Sequence, residues 1–250
     1  MRMRWVFPLT LFLAVLTCGV AWAGKPLELH ASDGVTVYGT YTRAADPGER
    51  VLLLFHQAGA SHHEYDPLIA SFTRQGWDTL AIDQRSGGSL FGGRNATVAK
   101  LGKSVGYLDA MPDLEAALAW AQSRRYPVIV AVGSSYSSSL VLLLAAQHPH
   151  ALSAVASFSP GEYFADSNLV RRAAARLRMP VYVTTDPKEE GRVDTVLSKA
   201  HGANIVRYRP VAGVHGASTL VCARDPGGCK ANLHSFLAFL QGIASSRVAH

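Results

Sequence analysis

Cysteine is scarce in this chain, with three in 250 residues. Cys18 falls in an apolar N-terminal segment, which leaves Cys222 and Cys229 for the rest. That excludes a scaffold held together by many disulfides. It also argues against structural zinc, because the segment offers only His234 nearby and lacks a four-ligand set. Six residues separate the pair, with Pro226-Gly227-Gly228 among them, so a small disulfide loop is expected in an oxidising compartment. Charge is sparse too. Charged residues make up 17% and hydrophobic ones 48%, a balance that builds a core and excludes disorder. The net charge of +6 is basic, but Arg171, Arg172, Arg176, Arg178, Arg207 and Arg209 are scattered. No basic block or basic–aromatic motif appears, so nucleic acid is not an expected partner. There is no internal repeat and no low-complexity linker. After residue 23 no apolar run approaches the roughly 20 residues of a membrane span.

What is present begins with a leader. Arg2 and Arg4 precede a nearly continuous apolar stretch, Val6 to Val20. Ala21-Trp22-Ala23 then supplies a small-x-small cleavage pattern. Residues 1–23 are expected to be a signal peptide and 24–250 one domain, periplasmic or secreted. Cys18 raises lipid attachment as an alternative, for which Thr17 is an awkward neighbour. Loss of Arg2 and Arg4 lowers the net charge to +4.

The remaining chain alternates strand and helix patterns. Leu27–Ala31 and Val35–Gly39 flank Ser32-Asp33-Gly34, the signature of a β-hairpin. Val51–Phe55, Thr79–Asp83, Val128–Val132, Ala154–Phe158, Val181–Thr184 and Asn204–Tyr208 read as strands. Ser61 and Glu64 form a capping-box pattern that predicts a helix through about Arg74. Further helices are predicted over 113–124, 137–147, 167–177, 190–200 and 233–243. Residues 86–102 are Gly-rich and read as a loop. This alternation predicts a mostly parallel sheet covered by helices on both faces. Reactive groups in such sheets gather beyond the carboxyl ends of the strands.

Gly133-Ser134-Ser135-Tyr136-Ser137 lies at one such end, between an apolar strand and an apolar helix. It is close to the G-x-S-x-G nucleophile elbow, with Ser137 in place of the second glycine. A serine nucleophile needs an imidazole base, and the imidazole needs an acid to fix its tautomer. The elbow order is Ser, acid, His. His215, in Gly213-Val-His-Gly216, follows the end of a strand. His148, His150, His201 and His234 sit at helix ends or within helices. The acid is expected just after the strand ending at Thr184, where Glu189 is favoured and Asp186 and Glu190 compete. An oxyanion needs two backbone N–H groups. Tyr136 is expected to give one and Gln57 the other, with Ala58 next in line. His56 precedes the serine and reads as loop support. His62-His63-Glu64 invites a metal, but adjacent histidines are expected to point apart, and Glu64 is accounted for as a cap. No metal or cofactor is expected.

Four segments together resemble the α/β-hydrolase superfamily, and within it the dienelactone-hydrolase-like branch. They are Phe55-His-Gln-Ala-Gly-Ala-Ser61, Leu80-Ala-Ile-Asp-Gln-Arg-Ser-Gly-Gly88, Gly133-Ser-Ser-Tyr-Ser137 and Gly213-Val-His-Gly216. The resemblance implies the α/β-hydrolase fold with seven to eight strands, and a triad of Ser135, an acid near Glu189, and His215. It implies a serine hydrolase, most commonly an esterase acting on a small-molecule ester. A peptidase or thioesterase, or a non-catalytic binding protein on the same scaffold, are the alternatives. The short segment between the strands at 154–158 and 181–184 leaves no room for a large lid domain. Residues 86–102 and Glu162-Tyr163 are expected to wall the site. Oligomeric state is not legible.

Overall fold

Apolar runs of β-branched and aliphatic residues build the centre of this molecule, a computed structural model that describes residues 24–45, 49–201 and 204–246. The expected leader, 1–23, lies outside the described residues. Eight strands form one sheet: β1 (Lys25–His30), β2 (Thr36–Thr42), β3 (Arg50–Phe55), β4 (Asp78–Ile82), β5 (Val128–Ser134), β6 (Ala154–Phe158), β7 (Val181–Thr184) and β8 (Ile205–Arg207). Their spatial order is β1-β2-β4-β3-β5-β6-β7-β8. β1 and β2 form the expected antiparallel hairpin, with Leu27 opposite Gly39, and β2 is antiparallel to β4. All other pairings are parallel. This is the α/β-hydrolase architecture that the sequence led us to expect.

Strand periodicity explains the layering. In β3, Val51, Leu53 and Phe55 face one side, while Leu52 and Leu54 face the other. The first set packs with Leu114, Leu118, Leu140 and Leu144 of α3 (Met111–Ser123) and α4 (Tyr136–Gln147). The second packs with Phe72 of α1 (Asp66–Arg74), Trp77, and Phe236 and Leu240 of α7 (Cys229–Ser246). Burying each such side chain contributes roughly 1.5–3 kcal/mol. Residues Tyr136 to Ala145 of α4 are buried all round, which anchors the turn before it.

Several segments depart from expectation. The predicted helix 61–74 is broken into a 3-10 turn, His62–Glu64, and α1. Pro67 stands in the first turn of α1. It can start a helix but cannot continue one, because it has no N–H. Ser61 makes no capping bond, and Glu64 is turned inward rather than capping. The predicted loop 86–102 contains α2 (Ala96–Leu101), capped by Asn95 Oδ1, which accepts from Val98 N–H at 2.8 Å. The last helix is longer than predicted and starts at Cys229. α5 (Leu169–Ala174) and α6 (Glu190–Leu197) are shorter than expected. Segment 159–180, between β6 and β7, holds only α5, and no large lid domain is present there. No described helix is long and apolar enough to cross a membrane.

Candidate active site

The turn between β5 and α4 is tight enough to dictate its residues. A Cβ on Gly133 would lie 2.2 Å from the Ser137 carbonyl oxygen, so only glycine fits. Ser135 sits at φ +57°, ψ −124°, in the positive-φ region that side chains avoid. Its N–H donates to Phe158 O at 2.9 Å, and its own carbonyl accepts from Ser138 N–H at 2.9 Å. The surrounding structure thus holds the strained turn in place. Ser137, which departs from the glycine pattern, uses its hydroxyl. Oγ donates to His56 O at 2.6 Å and accepts from Gln84 Nε2 at 2.7 Å.

Ser135 Oγ lies 2.8 Å from His215 Nε2, and His215 Nδ1 lies 2.8 and 3.0 Å from the two Glu189 oxygens. A carboxylate only accepts, so the imidazole proton sits on Nδ1 and the Nε2 lone pair faces the hydroxyl. Burial favours the neutral Glu189 carboxyl. Bonds from His215, Thr185 and Ser159 overcome it and hold the carboxyl below its ordinary value.

Asp186 does not reach His215. Its side chain accepts from Lys188 N–H at 2.9 Å and caps the 3-10 turn Pro187–Glu189, which corrects its candidacy as the acid. That cap turns the chain so that Glu189 points back over the strand ends. Glu190 pairs instead with Arg207 and Arg209. The expected donor at Gln57 is also corrected. Its N–H is committed to Glu64 Oε2 at 2.7 Å, because the buried Glu64 reaches inward to that loop. The next amide, Ala58 N–H, has no protein acceptor among the described residues. Tyr136 N–H lies in the first turn of α4, where amides lack intrahelical partners. Ala58 and Tyr136 are therefore the available pair.

Several supporting groups escaped the sequence reading. Ser159, at φ +60° beyond β6, accepts from Gly216 N–H at 2.9 Å, and its Oγ lies 3.1 Å from Thr185 Oγ1. Thr185 Oγ1 also lies 3.1 Å from Glu189 Oε2. Tyr163 donates to Ser159 O at 2.8 Å, and its hydroxyl faces Ser135. A cavity of about 360 Å³ opens beside it, lined by Gly161, Glu162, Tyr163, Arg192 and Thr195. The signal in the sequence was a hydroxyl residue just past the ends of β6 and β7. His56 is buried and neutral. Burial lowers it to about 4, its Nδ1–H donates to Gln57 O at 2.8 Å, and its Nε2 accepts from Gln84 N–H at 2.9 Å. Cys222 and Cys229 form a disulfide with Cα atoms 5.0 Å apart.

His62, His63 and Asp66 bring ligand atoms within 4.8 Å of one another. The two imidazoles do not point apart as expected. They lie against each other at a tilt, with centroids 4.0 Å apart and 32° between planes. Nδ1 of His62 is taken by Asp83 at 2.8 Å, and Nδ1 of His63 by Asp66 at 2.6 Å.

Comparison with known proteins agrees with this fold. Residues 46–217 match the family described as serine aminopeptidase, S33. No curated protein matches the chain. Among solved structures, an esterase of Pyrococcus furiosus superposes with a TM-score of 0.60 at 17% identity, covering 78% of this chain and 84% of that one. A dienelactone hydrolase of Anabaena variabilis gives 0.61 at 14%, covering 82% and 94%. A thermostable carboxyl esterase of Bacillus coagulans gives 0.64 at 11%, covering 88% and 99%. At these identities the likenesses speak to fold. The family match spans well over half of the sequence, and the chain is a member of the α/β-hydrolase superfamily, in the family described as serine aminopeptidase, S33.

Proposed function

We propose that this chain is a serine hydrolase that cleaves carboxylic esters of small molecules, exported to the periplasm or beyond the cell. Membership of the family and fold makes it a hydrolase-type enzyme. The observation that carries the serine mechanism is the unbroken chain of hydrogen bonds from Ser135 Oγ through His215 to Glu189. In it, His215 Nε2 takes the Ser135 proton as Oγ attacks the carbonyl carbon. Glu189 holds the Nδ1–H and stabilises the imidazolium that forms. Negative charge on the carbonyl oxygen is met by the N–H groups of Ala58 and Tyr136. His215 then gives its proton to the leaving alcohol, and the acyl group stays on Ser135. Water, deprotonated by His215, attacks that acyl ester and restores the hydroxyl. No cofactor enters the scheme. The apolar leader pattern and the Cys222–Cys229 bond favour export to an oxidising compartment.

A fluorophosphonate probe tests the nucleophile. It is expected to label the wild type and not Ser135→Ala, and labelling that survives the substitution refutes the assignment. N-terminal sequencing of exported protein is expected to begin at Gly24. Hydrolysis of aminoacyl amides is a second reading, favoured by the description of the matched family. A panel of p-nitrophenyl esters, acyl thioesters and aminoacyl amides separates these readings, with esters expected to be turned over fastest.

A further inference from the structure

Glu64 takes no part in the proton relay, yet it is fully buried. A buried carboxyl is costly unless its oxygens are satisfied. Here both are. Oε2 accepts from Gln57 N–H at 2.7 Å, and Oε1 accepts from the Ser134 hydroxyl at 2.7 Å. Ser134 Oγ in turn accepts from Ala217 N–H at 2.8 Å. One carboxylate and one bridging hydroxyl therefore join three segments: the loop after β3, the residue before Ser135, and the turn that carries His215. Gly216 permits the approach, since a Cβ there would lie 2.5 Å from Ser134 Oγ. The charged group facing Glu64 is Arg224, from the segment after the turn 216–220. Its guanidinium donates to Glu64 O at 2.9 Å and lies over the Phe91 ring. The titratable neighbour is Tyr65, whose hydroxyl donates to Phe55 O at 2.9 Å.

On the serine-hydrolase reading above, we propose that Glu64 is a positioning residue, whose ionised carboxylate holds the oxyanion loop, the elbow and the His215 turn in one register. Fixing Gln57 N–H fixes the chain into the next peptide, whose N–H is that of Ala58. A misplacement of about 1 Å at such a group costs on the order of 100-fold in rate. The neutral acid cannot serve equally. Its O–H must donate, Gln57 N–H cannot accept, and Ser134 then loses its acceptor. Burial, opposed by the Gln57 and Ser134 bonds and by Arg224, pushes the carboxyl up to about 7. Activity accordingly falls with protonation of this carboxylate as the pH drops below neutrality.

The test uses the full chain with Glu64→Gln, Ser134→Ala and the double variant. It measures kcat and KM on p-nitrophenyl acetate from acid to alkaline pH, with thermal unfolding and amide exchange alongside. Glu64→Gln is expected to lower kcat by roughly 10- to 100-fold with KM little changed. Its log kcat/KM falls less steeply than that of the wild type as the pH drops below neutrality, because the Glu64 ionisation is gone. The double variant loses little beyond Glu64→Gln alone, because both side chains serve one brace. Wild-type rates and slope in Glu64→Gln, or losses that simply add, overturn the proposal. Should Glu64→Gln not fold, Ser134→Ala carries the test, and an unchanged kcat there overturns it. A wild type inert to both ester and fluorophosphonate ends the hydrolase reading and the catalytic role with it. Amide exchange still reads the brace in that case: protection at Gln57 and Ala217 drops in Glu64→Gln if the brace exists, and unchanged protection refutes it.

Discussion

The hydroxyl of Ser137 donates to the carbonyl of His56 at 2.6 Å, and so ties the first turn of α4 to the tip of β3. The same Oγ accepts from Gln84 Nε2, which also donates to Tyr136 OH at 3.0 Å. Serine at this position therefore replaces a missing side chain with a cross-link. Ser137→Ala leaves a buried carbonyl and part of a buried amide unsatisfied, and is expected to cost about 1–3 kcal/mol in urea unfolding. Ser137→Gly is expected to lose up to about 1 kcal/mol more, because glycine weakens a helix. Equal stability of wild type and Ser137→Ala would show that the link contributes nothing.

The acid assignment separates three neighbouring carboxylates. Glu189→Gln leaves the imidazole free to adopt the wrong tautomer, and kcat is expected to fall by about 10⁴-fold. Glu190→Gln breaks only pairing to Arg207 and Arg209 and is expected to leave kcat close to wild type. Asp186→Asn removes charge at a turn cap without touching His215. A loss in Asp186→Asn as large as that in Glu189→Gln would contradict the geometry.

Two buried groups have opposed proton linkages. Glu64 is raised from 4.5 to about 7, chiefly by burial, so the folded state binds its proton more tightly than the unfolded state. That contribution to stability is present below 4.5 and fades as pH rises to 7. His56 is lowered from 6.5 to about 4, again chiefly by burial. Its contribution is present above 6.5 and fades as pH falls to 4. Each amounts to about 3 kcal/mol, and the two run against each other over the same window. Glu64→Gln removes one of them. Urea midpoints of that variant are expected to rise steeply from pH 4.5 to 6.5, while those of the wild type change less. Parallel profiles for the two proteins would refute the pairing.

The Cys222–Cys229 bond closes a short loop immediately before α7. Reduction, or Cys222→Ser with Cys229→Ser, is expected to cost about 2 kcal/mol, read as a lower melting temperature under dithiothreitol.

The sheet was legible because its strands carry their own signal. Leu52–Phe55 and Val128–Val132 are apolar without interruption, as strands covered on both faces must be. Ser135 was legible because it directly follows β5, and His215 because it sits in a Gly-Val-His-Gly loop downstream of the last strand. Glu64 was not, because its sequence neighbours make an equally good capping box with Ser61. Only the tertiary position of Gln57 and Ser134 decides which partner its carboxylate finds. The same reason hid the commitment of the Gln57 N–H: Gln57 and Ala58 are adjacent, and only the folded shape of the loop after β3 brings Glu64 back to the first. α2 was hidden by the glycines around it, though Asn95 marked its start.

Segment 159–180 passes from β6 to β7 with α5 as its sole regular element. With no large lid domain in that segment, on the proposed mechanism small alcohols as well as water can enter the site and reach an acyl group held on the serine. Any alcohol at high concentration would then compete with water for it, in proportion to nucleophilicity and abundance. The partition between hydrolysis and transesterification becomes a property of the medium as much as of the protein.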